Sequence, residues 1–384
     1  MGIKSNFNQF LREKCPDIFE EIHISEYAFK RVAIDISLYL HKFKAVCGDR
    51  WLSAFINLIA CLRRNETHCV FIFDGKAPEE KNEERAKRRQ DREKMDNNLF
   101  ILEECLEEFD KTGIIKKPLK DLYDRRRSPQ RLLGKSNTTF DIDWVRKKIE
   151  QKRNQLYEIT PEDYQHAKEL FDILEVPYYT APCEAEKMCS KLCRDGKVCA
   201  VLSEDTDVLA YGAPIFLSKI DTSANTCIRI RYKSILEGLD LTEAQFLDLC
   251  IMCGTDYNSN ISKIGSKTAY KYICQHGGID EIGSNTNLDI SVLKHLRSRE
   301  LFSKFPEYNV ENIAYCGCPN FDALEKFIVK NNIHLNIEKL RSDFTQNIIV
   351  FEDSENENEV QDMEEVVLSE DENKVQDMED ENDE

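Results

Sequence analysis

The sequence lacks the features of exported and membrane-bound proteins. Its 384 residues contain no apolar run near the roughly 20 residues that a membrane span needs. The N-terminus, MGIKSNFNQF, has no apolar signal-peptide core, and Asn6 stands where a myristoylation motif has Ser or Thr. We therefore expect an intracellular protein with no membrane partner.

Cysteine is plentiful although a secretory signal is absent. Fifteen cysteines in such a chain indicate reduced thiols. A zinc site would need the CxxC at Cys250 and Cys253 to meet the CxC at Cys316 and Cys318. Because FLDLCIMCG has the pattern of an apolar helix, we favour core packing over metal binding for these thiols.

Negative charge is concentrated at the C-terminus. Residues 352–384 hold 17 acidic residues and one lysine, whereas residues 1–351 carry 52 basic and 54 acidic side chains. The tail contains the tandem repeat SENENEVQDME and SEDENKVQDME, with a period of 15 residues. We predict a disordered tail that either solubilises the chain or binds an unidentified protein or the chain itself. Ser354 and Ser369 are candidate kinase sites in the repeats.

The body of the chain alternates strand and helix patterns. RVAIDISLYL begins with a buried strand at Arg31–Asp35, HCVFIFDG ends a second strand at Asp74, and VPYYTAP, KVCAVL and PIFLSKI predict three more. Thr160 followed by Pro161 starts a helix, and Gly196 ends another. Strands separated by helices predict a largely parallel α/β sheet. Residues 75–154 are polar and helical, which indicates an insertion.

Acidic residues lie at the ends of the predicted strands and in nearby helix turns. They are Asp35, Asp74, Glu184, Glu186, Asp205, Asp207 and, at a helix end, Asp256. Since the carboxyl ends of parallel strands gather at one edge, we expect these acids to converge. For Asp35 or Asp74 alone a cap or a surface charge explains the residue better, but not for the whole set.

Converging carboxylates need cations, because like charges at short range cannot all stay ionised. Oxygen ligands favour Mg²⁺, Mn²⁺ or Ca²⁺. Two Mg²⁺ about 4 Å apart are a common device for phosphodiester hydrolysis. If the strand conformation persists past Leu202, Asp205 and Asp207 point to one side and grip one cation, while Glu204 points away.

Six sequence blocks, in order, resemble the flap endonuclease/XPG family of structure-specific 5′ nucleases. They are MGIKS, VAIDIS, FIFDGKAP, APCEAEK, SEDTDVLAYG and CGTDYNSNISKIGSKTA, and the match that they mark spans most of residues 1–275. The resemblance implies a PIN-like three-layer α/β/α nuclease domain with a mostly parallel central sheet. It also implies a helical arch or cap insertion and a C-terminal helix–two-turn–helix DNA-binding region.

The resemblance implies roles for individual residues. The seven acids match the family's metal-site carboxylates, which would hold two Mg²⁺ that Mn²⁺ can replace. One metal would lie nearer Asp35, Asp74 and Glu186, and the other nearer Asp205, Asp207 and Asp256, with Glu184 acting largely through water. Lys81 and Arg88 match basic residues that face the scissile phosphate, where they would stabilise transition-state charge. Gly2, after removal of Met1, matches a small N-terminal residue near the active site.

NISKIGSKTAYKY resembles the family's helix–two-turn–helix. Backbone N–H groups around Gly265 and the following helix end would hold a duplex phosphate. Lys263, Lys267 and Lys271 recur every four residues and would add nonspecific phosphate contacts. Family members often hold K⁺ in this turn, which makes K⁺ a candidate cofactor. Without its position directly after Asp256, this hairpin motif is equally well explained as a solvated basic helix.

The sequence departs from cellular family members in three places. The 39 residues from Asp35 to Asp74 leave little room for the segments that grip a 3′ flap. His41 stands where flap endonucleases usually have a stacking Tyr. The segment around it, LYLHK, is more similar to the family's 5′-exonucleases. The ring of His41 is a candidate for stacking on a base, Tyr39 is the competing candidate, and a surface His is the alternative. The C-terminal QNIIVFE does not fit the sliding-clamp motif.

The insertion is enlarged and partly basic. From Asp74 to Glu184 there are 110 residues, with nine basic side chains between Lys111 and Lys135. We predict an arch that gates a 5′ single strand. The basic run either binds that strand, serves as a nuclear import signal or is a solvated face. If charge reversal of Arg125, Arg126 and Arg127 leaves DNA affinity at low salt unchanged, the binding hypothesis is wrong.

The sequence therefore predicts a Mg²⁺-dependent 5′ nuclease that cuts branched, flapped or nicked DNA near the single-strand/double-strand junction. Flap endonuclease, 5′→3′ exonuclease and junction resolvase activities remain open, and the alternative is a catalytically weak DNA-junction scaffold. An aspartate-nucleophile phosphatase is discounted because Ser37 occupies the second acidic position of its DxD motif. We expect a monomer that works in the nucleus, or in a cytoplasmic factory if the protein is viral.

The sequence also predicts domain boundaries. Residues 1–96 form an N-terminal nuclease region, 97–160 the arch or cap, and 161–275 the internal nuclease region with the helix–two-turn–helix. Residues 276–351 form a helical extension, and 352–384 form the acidic tail.

Overall fold

The computed structural model describes residues 2–127, 140–308, 310 and 312–345, with the backbone alone at 125–127 and 345. The acidic tail, the QNIIVFE segment and part of the predicted basic run lie outside the described residues. Seven strands form one sheet in the order β1-β7-β6-β5-β2-β3-β4. They are β1 Glu20–His23, β2 Arg31–Asp35, β3 His68–Phe73, β4 Tyr178–Thr180, β5 Ala200–Leu202, β6 Ile215–Asp221 and β7 Thr226–Arg231.

The five strands from β6 to β4 run parallel, as predicted, whereas β7 and β1 add an antiparallel edge. The sequence pattern did not predict β1 and β7. These strands carry charged residues, and Arg229 of β7 forms ion pairs with Glu20 and Glu26. These charged strands at the antiparallel end of the sheet lack the apolar run that identified the central strands.

Alternation along the central strands divides the core into two layers. Val32 and Ile34 of β2 face one layer, while Ala33 faces the other. One layer packs on β2 with helices α2 Ile36–Cys47, α3 Trp51–Arg64, α7 Pro161–Ile173, α15 Phe321–Lys330 and α16 Ile337–Thr345. The opposite layer contains α1 Phe7–Lys14, α8 Ala185–Arg194, α9 Asp207–Ala210, α10 Tyr232–Leu239, α11 Glu243–Cys253, α12 Ser266–His276, α13 Ile279–Asn285 and α14 His295–Ser303. This is a three-layer α/β/α arrangement.

The insertion forms a separate small helical unit. Its helices are α4 Asn82–Thr112, α5 Lys117–Arg127 and α6 Ile142–Gln155. Leu102 of α4, Leu119 of α5 and Val145 of α6 are buried in a core that is distinct from the two layers of the sheet. The predicted boundary at residue 96 falls inside α4, which runs without a break from Asn82 to Thr112.

Local capping explains where several helices begin. Thr160 and Asp163 form a reciprocal capping box at α7, with Pro161 at the first helical position, as predicted. Asp35 caps α2, where Ser37 N–H donates to Asp35 Oδ1 at 2.8 Å. Thr242 and Gln245 form a second capping box at α11.

The cysteine pairs are separated by the sheet. Cys250 and Cys253 are fully buried in the layer that contains α11, while Cys316 is buried in the opposite layer and Cys318 is exposed. Cys316 Sγ donates to the carbonyl of Cys69 at 3.3 Å. The two pairs therefore do not converge as a zinc site would require.

One segment qualifies the expectation about membrane spans. Residues Ile36–Arg64 are long and apolar enough to cross a membrane by length and composition. In the fold this segment is divided into α2 and α3 by a 3-10 turn at Gly48–Arg50, and both helices contribute buried side chains to the core. The core of a folded domain passes the same compositional test.

The aromatic stack between β3 and α7 predicts a large stability effect. The rings of Phe71 and Phe171 are parallel, with centroids 4.2 Å apart, and both are fully buried. Phe171→Ala should lower the free energy of unfolding by about 3–5 kcal/mol, because the cavity cannot collapse fully. Urea unfolding measures this, with Phe100→Ala at an exposed site as the control. A similar loss in both variants would contradict the prediction.

Candidate active site

Six of the seven predicted carboxylates line one cleft of about 820 Å³ at the carboxyl edge of the parallel strands. They are Asp35, Asp74, Glu184, Glu186, Asp205 and Asp256. The seventh, Asp207, is buried beside Asp205, whose Oδ1 accepts the Asp207 N–H at 3.0 Å. The fold thus brings together all the acids that the sequence singled out.

Backbone contacts join the elements that supply these acids. Asp74 follows β3, and its Oδ1 accepts the N–H of Ala185 at 2.8 Å. Ala185 is the first residue of α8, the helix that carries Glu184 as its N-cap and Glu186 in its first turn. The end of β3 is therefore tied directly to the turn that supplies the two glutamates.

The expectation that strand geometry persists past Leu202 is wrong. β5 ends at Leu202, and Asp207 begins the short helix α9. Asp205 turns the chain by accepting the Asp207 N–H, so the two acids are paired by a tight turn and a helix start. Glu204 does point away from the acids, because it forms an ion pair with Lys42 of α2.

Lys81 and Arg88 both reach the carboxylates. Lys81 Nζ contacts Glu184 and lies 3.1 Å from Glu186 Oε1 and 3.5 Å from Asp256 Oδ2. Arg88 donates from one nitrogen to both oxygens of Asp256, at 2.8 and 2.9 Å. Lys81 ends a 3-10 turn at the start of α4, and Arg88 lies two turns further along that helix.

The base of α4 is held in place from outside the insertion. Lys4 bonds Glu84 at 2.8 Å, Lys294 bonds Glu83 at 2.9 Å, and Arg297 of α14 bonds Glu80 at 2.7 Å. The N-terminus and the C-terminal extension thus fix the turn that carries Lys81. The sequence analysis missed these contacts, since the partners are up to 217 residues apart.

The electrostatics of the cleft reflect burial of like charges. Burial, with the charge of Asp74, raises the pKa of Asp35 well above its ordinary value. Burial likewise raises the pKa of Asp207, and the nearby charges of Asp205 and Asp256 raise it further. Burial alone would lower the pKa of Lys81, but Glu186 and the surrounding acids raise it. Lys81 therefore stays an ammonium ion, which partly offsets the acids around it.

Gly2 lies against the Asp205–Asp207 turn. Its φ is +87°, and a Cβ at this position would stand 2.1 Å from Asp205 Oδ1. Thr206 Oγ1 accepts the next backbone N–H, of Ile3, at 2.9 Å. Only glycine fits here, because both the backbone angle and the space exclude a side chain.

The two candidates for base stacking have different environments. His41 has an exposed ring and lines the cleft. Tyr39 is fully buried in the core between the sheet and α3, and its hydroxyl has no hydrogen-bond partner among the described residues. Tyr39 is therefore excluded as a stacking residue.

One wall of the cleft is basic. Arg85, Arg89 and Arg92 of α4 line it together with Arg88. Arg92 donates to the carbonyl of Tyr157, just beyond α6, at 2.8 Å. This contact joins the two legs of the insertion above the acids. The sequence analysis singled out Arg88 alone in this stretch, although the repeated arginines of ERAKRRQDR were a signal.

The predicted helix–two-turn–helix lies at the start of α12. Gly265 is the N-cap of α12, no side chain caps it, and nothing stands within 4 Å of a Cβ built on it. Lys263 lies in the preceding turn with φ +66°, while Lys267 and Lys271 lie on α12, and all three are exposed. Lys267 forms an ion pair with Glu13.

The donor set fits hard divalent cations. All seven acids offer oxygen ligands, and Asp207 Oδ1 is buried with no hydrogen-bond partner among the described residues. Among those residues, no three acidic, imidazole or thiol side chains are grouped so that they could hold a metal ion as they stand. The acids that contact Lys81 and Arg88 are held by those cations instead.

Glu184 has buried partners that the sequence analysis missed. Tyr257 donates from its hydroxyl to Glu184 Oε2, and the hydroxyls of Tyr211 and Tyr257 bond each other. Both tyrosines lie within the sequence blocks that resemble the family, at the end of DVLAY and in CGTDY. The spacing of these blocks does not predict that the two side chains meet.

Comparison with known proteins gives concordant matches. The model for the XPG N-terminal domain matches residues 1–95, and the model for the XPG I-region matches residues 175–256. The probable RAD2-like endonuclease 369L of Invertebrate iridescent virus 6 is 32% identical over 400 residues, covering 94% of this chain and 96% of the relative. Flap endonuclease 1-A of Sorghum bicolor is 30% identical over 371 residues, covering 89% and 87%.

The fold also matches solved structures. The catalytic core of Rad2 in complex with DNA substrate superposes with a TM-score of 0.60 at 18% identity, covering 87% of this chain and 98% of that one. At this identity the match concerns the fold, and it agrees with the three-layer arrangement around the mostly parallel sheet.

The crowding at Gly2 predicts a local defect. Gly2→Ala should reduce nuclease activity at least tenfold, because the new Cβ forces Asp205 or its turn to move. Gly196→Ala is the matched control, since Gly196 also has positive φ but nothing within 4 Å of its Cβ. Cleavage of 5′-flap DNA in Mg²⁺ provides the measurement, and equal activity in the two variants would contradict the prediction.

Proposed function

The chain belongs to the flap endonuclease/XPG family and is a structure-specific DNA nuclease, and from this premise we propose that it hydrolyses 5′ strands at DNA junctions with two divalent cations. The observation that carries the proposal is the single cleft in which six acids face Lys81 and Arg88. Hydrolysis of a phosphodiester uses oxygen ligands that hold metal ions and cationic donors that stabilise charge on the phosphate, and both are present in this cleft.

The seven acids would hold the cations. Asp35, Asp74 and Glu186 would serve one ion, and Asp205, Asp207 and Asp256 the other, with Glu184 acting through water. When bound, two Mg²⁺ would supply Lewis-acid charge that activates water and stabilises the leaving oxygen. Mn²⁺ satisfies the same oxygen ligands.

The chain's own cations would act on the phosphate. Lys81 and Arg88 extend from one face of the start of α4, so both reach a phosphate placed over the acids. Their donors would stabilise the negative charge that builds up on phosphoryl oxygens in the transition state. Because Lys81 is mostly buried, water screens its charge less than that of a surface lysine.

Duplex and single-strand parts of the substrate would bind at different places. The uncapped N-terminus of α12 around Gly265, with Lys263, Lys267 and Lys271, would hold a duplex phosphate. K⁺ is a proposed cofactor in this turn. The arginines of α4 and the ring of His41 line the path of a 5′ single strand toward the acids. The matched Rad2 structure contains DNA substrate, which supports DNA binding by this chain.

The finer class of activity is open among flap endonuclease, 5′→3′ exonuclease and junction resolvase. A substrate with a blocked 5′ end distinguishes end-dependent cutting from junction cutting. Loss of cutting means that end entry is required, whereas cutting of a closed four-way junction favours a resolvase. We propose a role in DNA replication, repair or recombination, in a nucleus or a viral factory. An iridescent virus and a plant both have relatives of this chain.

The direct experiment uses purified protein, Mg²⁺ and a 5′-flap duplex. Wild type should release 5′-phosphate products. Asp205→Ala should bind the same DNA within about threefold but cut at least 10³-fold more slowly, because metal ligation is lost while the DNA surfaces remain. If wild type binds the flap and leaves it intact, the protein is a junction-binding scaffold instead.

The duplex site predicts a change in salt dependence. The double variant Lys263→Ala, Lys271→Ala should weaken duplex binding and reduce the slope of log affinity against log salt by about 2, since about one counterion is released per phosphate contact. Fluorescence anisotropy at several salt concentrations measures this. Lys330→Ala, whose lysine pairs with Glu169, is the control and should leave the slope unchanged.

A further inference from the structure

Two tyrosine hydroxyls lie directly behind the candidate active site. Tyr211 caps the C-terminal end of α9, four residues after Asp207, and Tyr257 immediately follows Asp256. Both side chains are almost completely buried. Their hydroxyls bond each other, Tyr257 also donates to Glu184 Oε2, and Tyr211 Oη lies 3.5 Å from the same oxygen.

The rings are fixed from the side away from the cleft. Phe302 of α14 contacts both, with centroids 4.9 Å from the ring of Tyr211 and 5.0 Å from that of Tyr257. Arg194 donates to the carbonyl of Tyr211 at 3.2 Å. The two rings therefore have little freedom to turn, and their hydroxyls are presented to Glu184 in one orientation.

The hydroxyls form a directional chain that ends on the carboxylate. Tyr211 can donate to Tyr257, which donates to Glu184, so each bond polarises the next. The second oxygen of Glu184, Oε1, contacts Lys81 Nζ. Lys81 Nζ also lies 5.5 Å from the centre of the Tyr257 ring. Tyr257 thus contacts Glu184 through its hydroxyl and faces Lys81 through its ring.

We propose that Tyr211 and Tyr257 are positioning residues that orient Glu184 and, through it, set the place of the Lys81 ammonium over the acids. The inference rests on the proposed function, because it concerns the same cleft. Without the tyrosine hydroxyls, Glu184 Oε2 becomes a buried acceptor without its short-range donor, and the carboxylate turns to find another. Lys81 then keeps Glu186 and Asp256 but loses its contact with Glu184, so its ammonium shifts from its place near the phosphate.

The test compares Tyr257→Phe with Tyr308→Phe. Tyr308 is the matched control because its hydroxyl also donates to a carboxylate, that of Asp195 at 2.6 Å, outside the cleft. Tyr257→Phe should lower kcat on the 5′-flap substrate about 10- to 100-fold with KM nearly unchanged, in the range seen for partners of metal-site ligands. Mn²⁺ binding without DNA, followed by electron paramagnetic resonance, should weaken about tenfold. Tyr308→Phe should change neither quantity.

A double-mutant cycle tests whether Tyr257 acts through Glu184. In a Glu184→Gln background, Tyr257→Phe should have little further effect on kcat, whereas independent roles would give additive losses. Additive losses, or equal behaviour of Tyr257→Phe and Tyr308→Phe, would overturn the proposal. If Tyr257→Phe does not fold, Tyr211→Phe decides the question, because it keeps the Tyr257–Glu184 bond. It should lower kcat about three- to tenfold, and no change in kcat would overturn the proposal.

Failure of the proposed function has a different signature. If wild type does not cut, or if Asp205→Ala cuts as well as wild type, the cleft is not the nuclease site, whatever the tyrosine variants do. If wild type cuts, Asp205→Ala does not, and Tyr257→Phe matches wild type in both kcat and Mn²⁺ affinity, only the positioning role is lost.

Discussion

Repulsion between buried carboxylates is the constraint on which the rest of this structure depends. Seven acids from five separate parts of the chain meet at one edge of the sheet, and burial raises the pKa of Asp35, Glu186, Asp205 and Asp207. A chain that folded only for stability would not collect them, because burying an ionised carboxylate lowers the free energy of unfolding. The arrangement requires cations, and the fold supplies two of its own in Lys81 and Arg88.

The surrounding elements are organised to hold that charge. The parallel strands carry the acids to the edge, and Asp74 ties β3 to the start of α8. The N-terminus and α14 hold the base of α4, so Lys81 and Arg88 reach the acids. The same helix α14 supports Tyr211 and Tyr257 through Phe302. The C-terminal extension therefore supports the site from two sides, although none of its described residues lines the cleft.

Local patterns predicted the parts of the fold that depend on local physics. The central strands, the helix start at Thr160 and the helix that carries Glu184 and Glu186 are fixed by periodicity and capping, and all appeared where expected. The charged strands β1 and β7 were missed because pairing with neighbours, rather than an apolar pattern, makes them strands. Tyr39 and His41 show the same limit: they are two residues apart on one helix, and only packing decides that one is buried and the other faces the cleft.

The sequence by itself determined which chemistry is available. Acids at strand ends, two cations seven residues apart and a glycine at position 2 specify oxygen ligands, phosphate donors and a tight N-terminal contact. Only the tertiary structure decided how these groups are held. The turn that pairs Asp205 with Asp207, the tyrosine chain on Glu184 and the ion pairs at the base of α4 join residues that are close in space. Except for the turn, they are distant in sequence. Residue type is a local property that a pattern records, whereas contacts between distant segments depend on how the whole core packs.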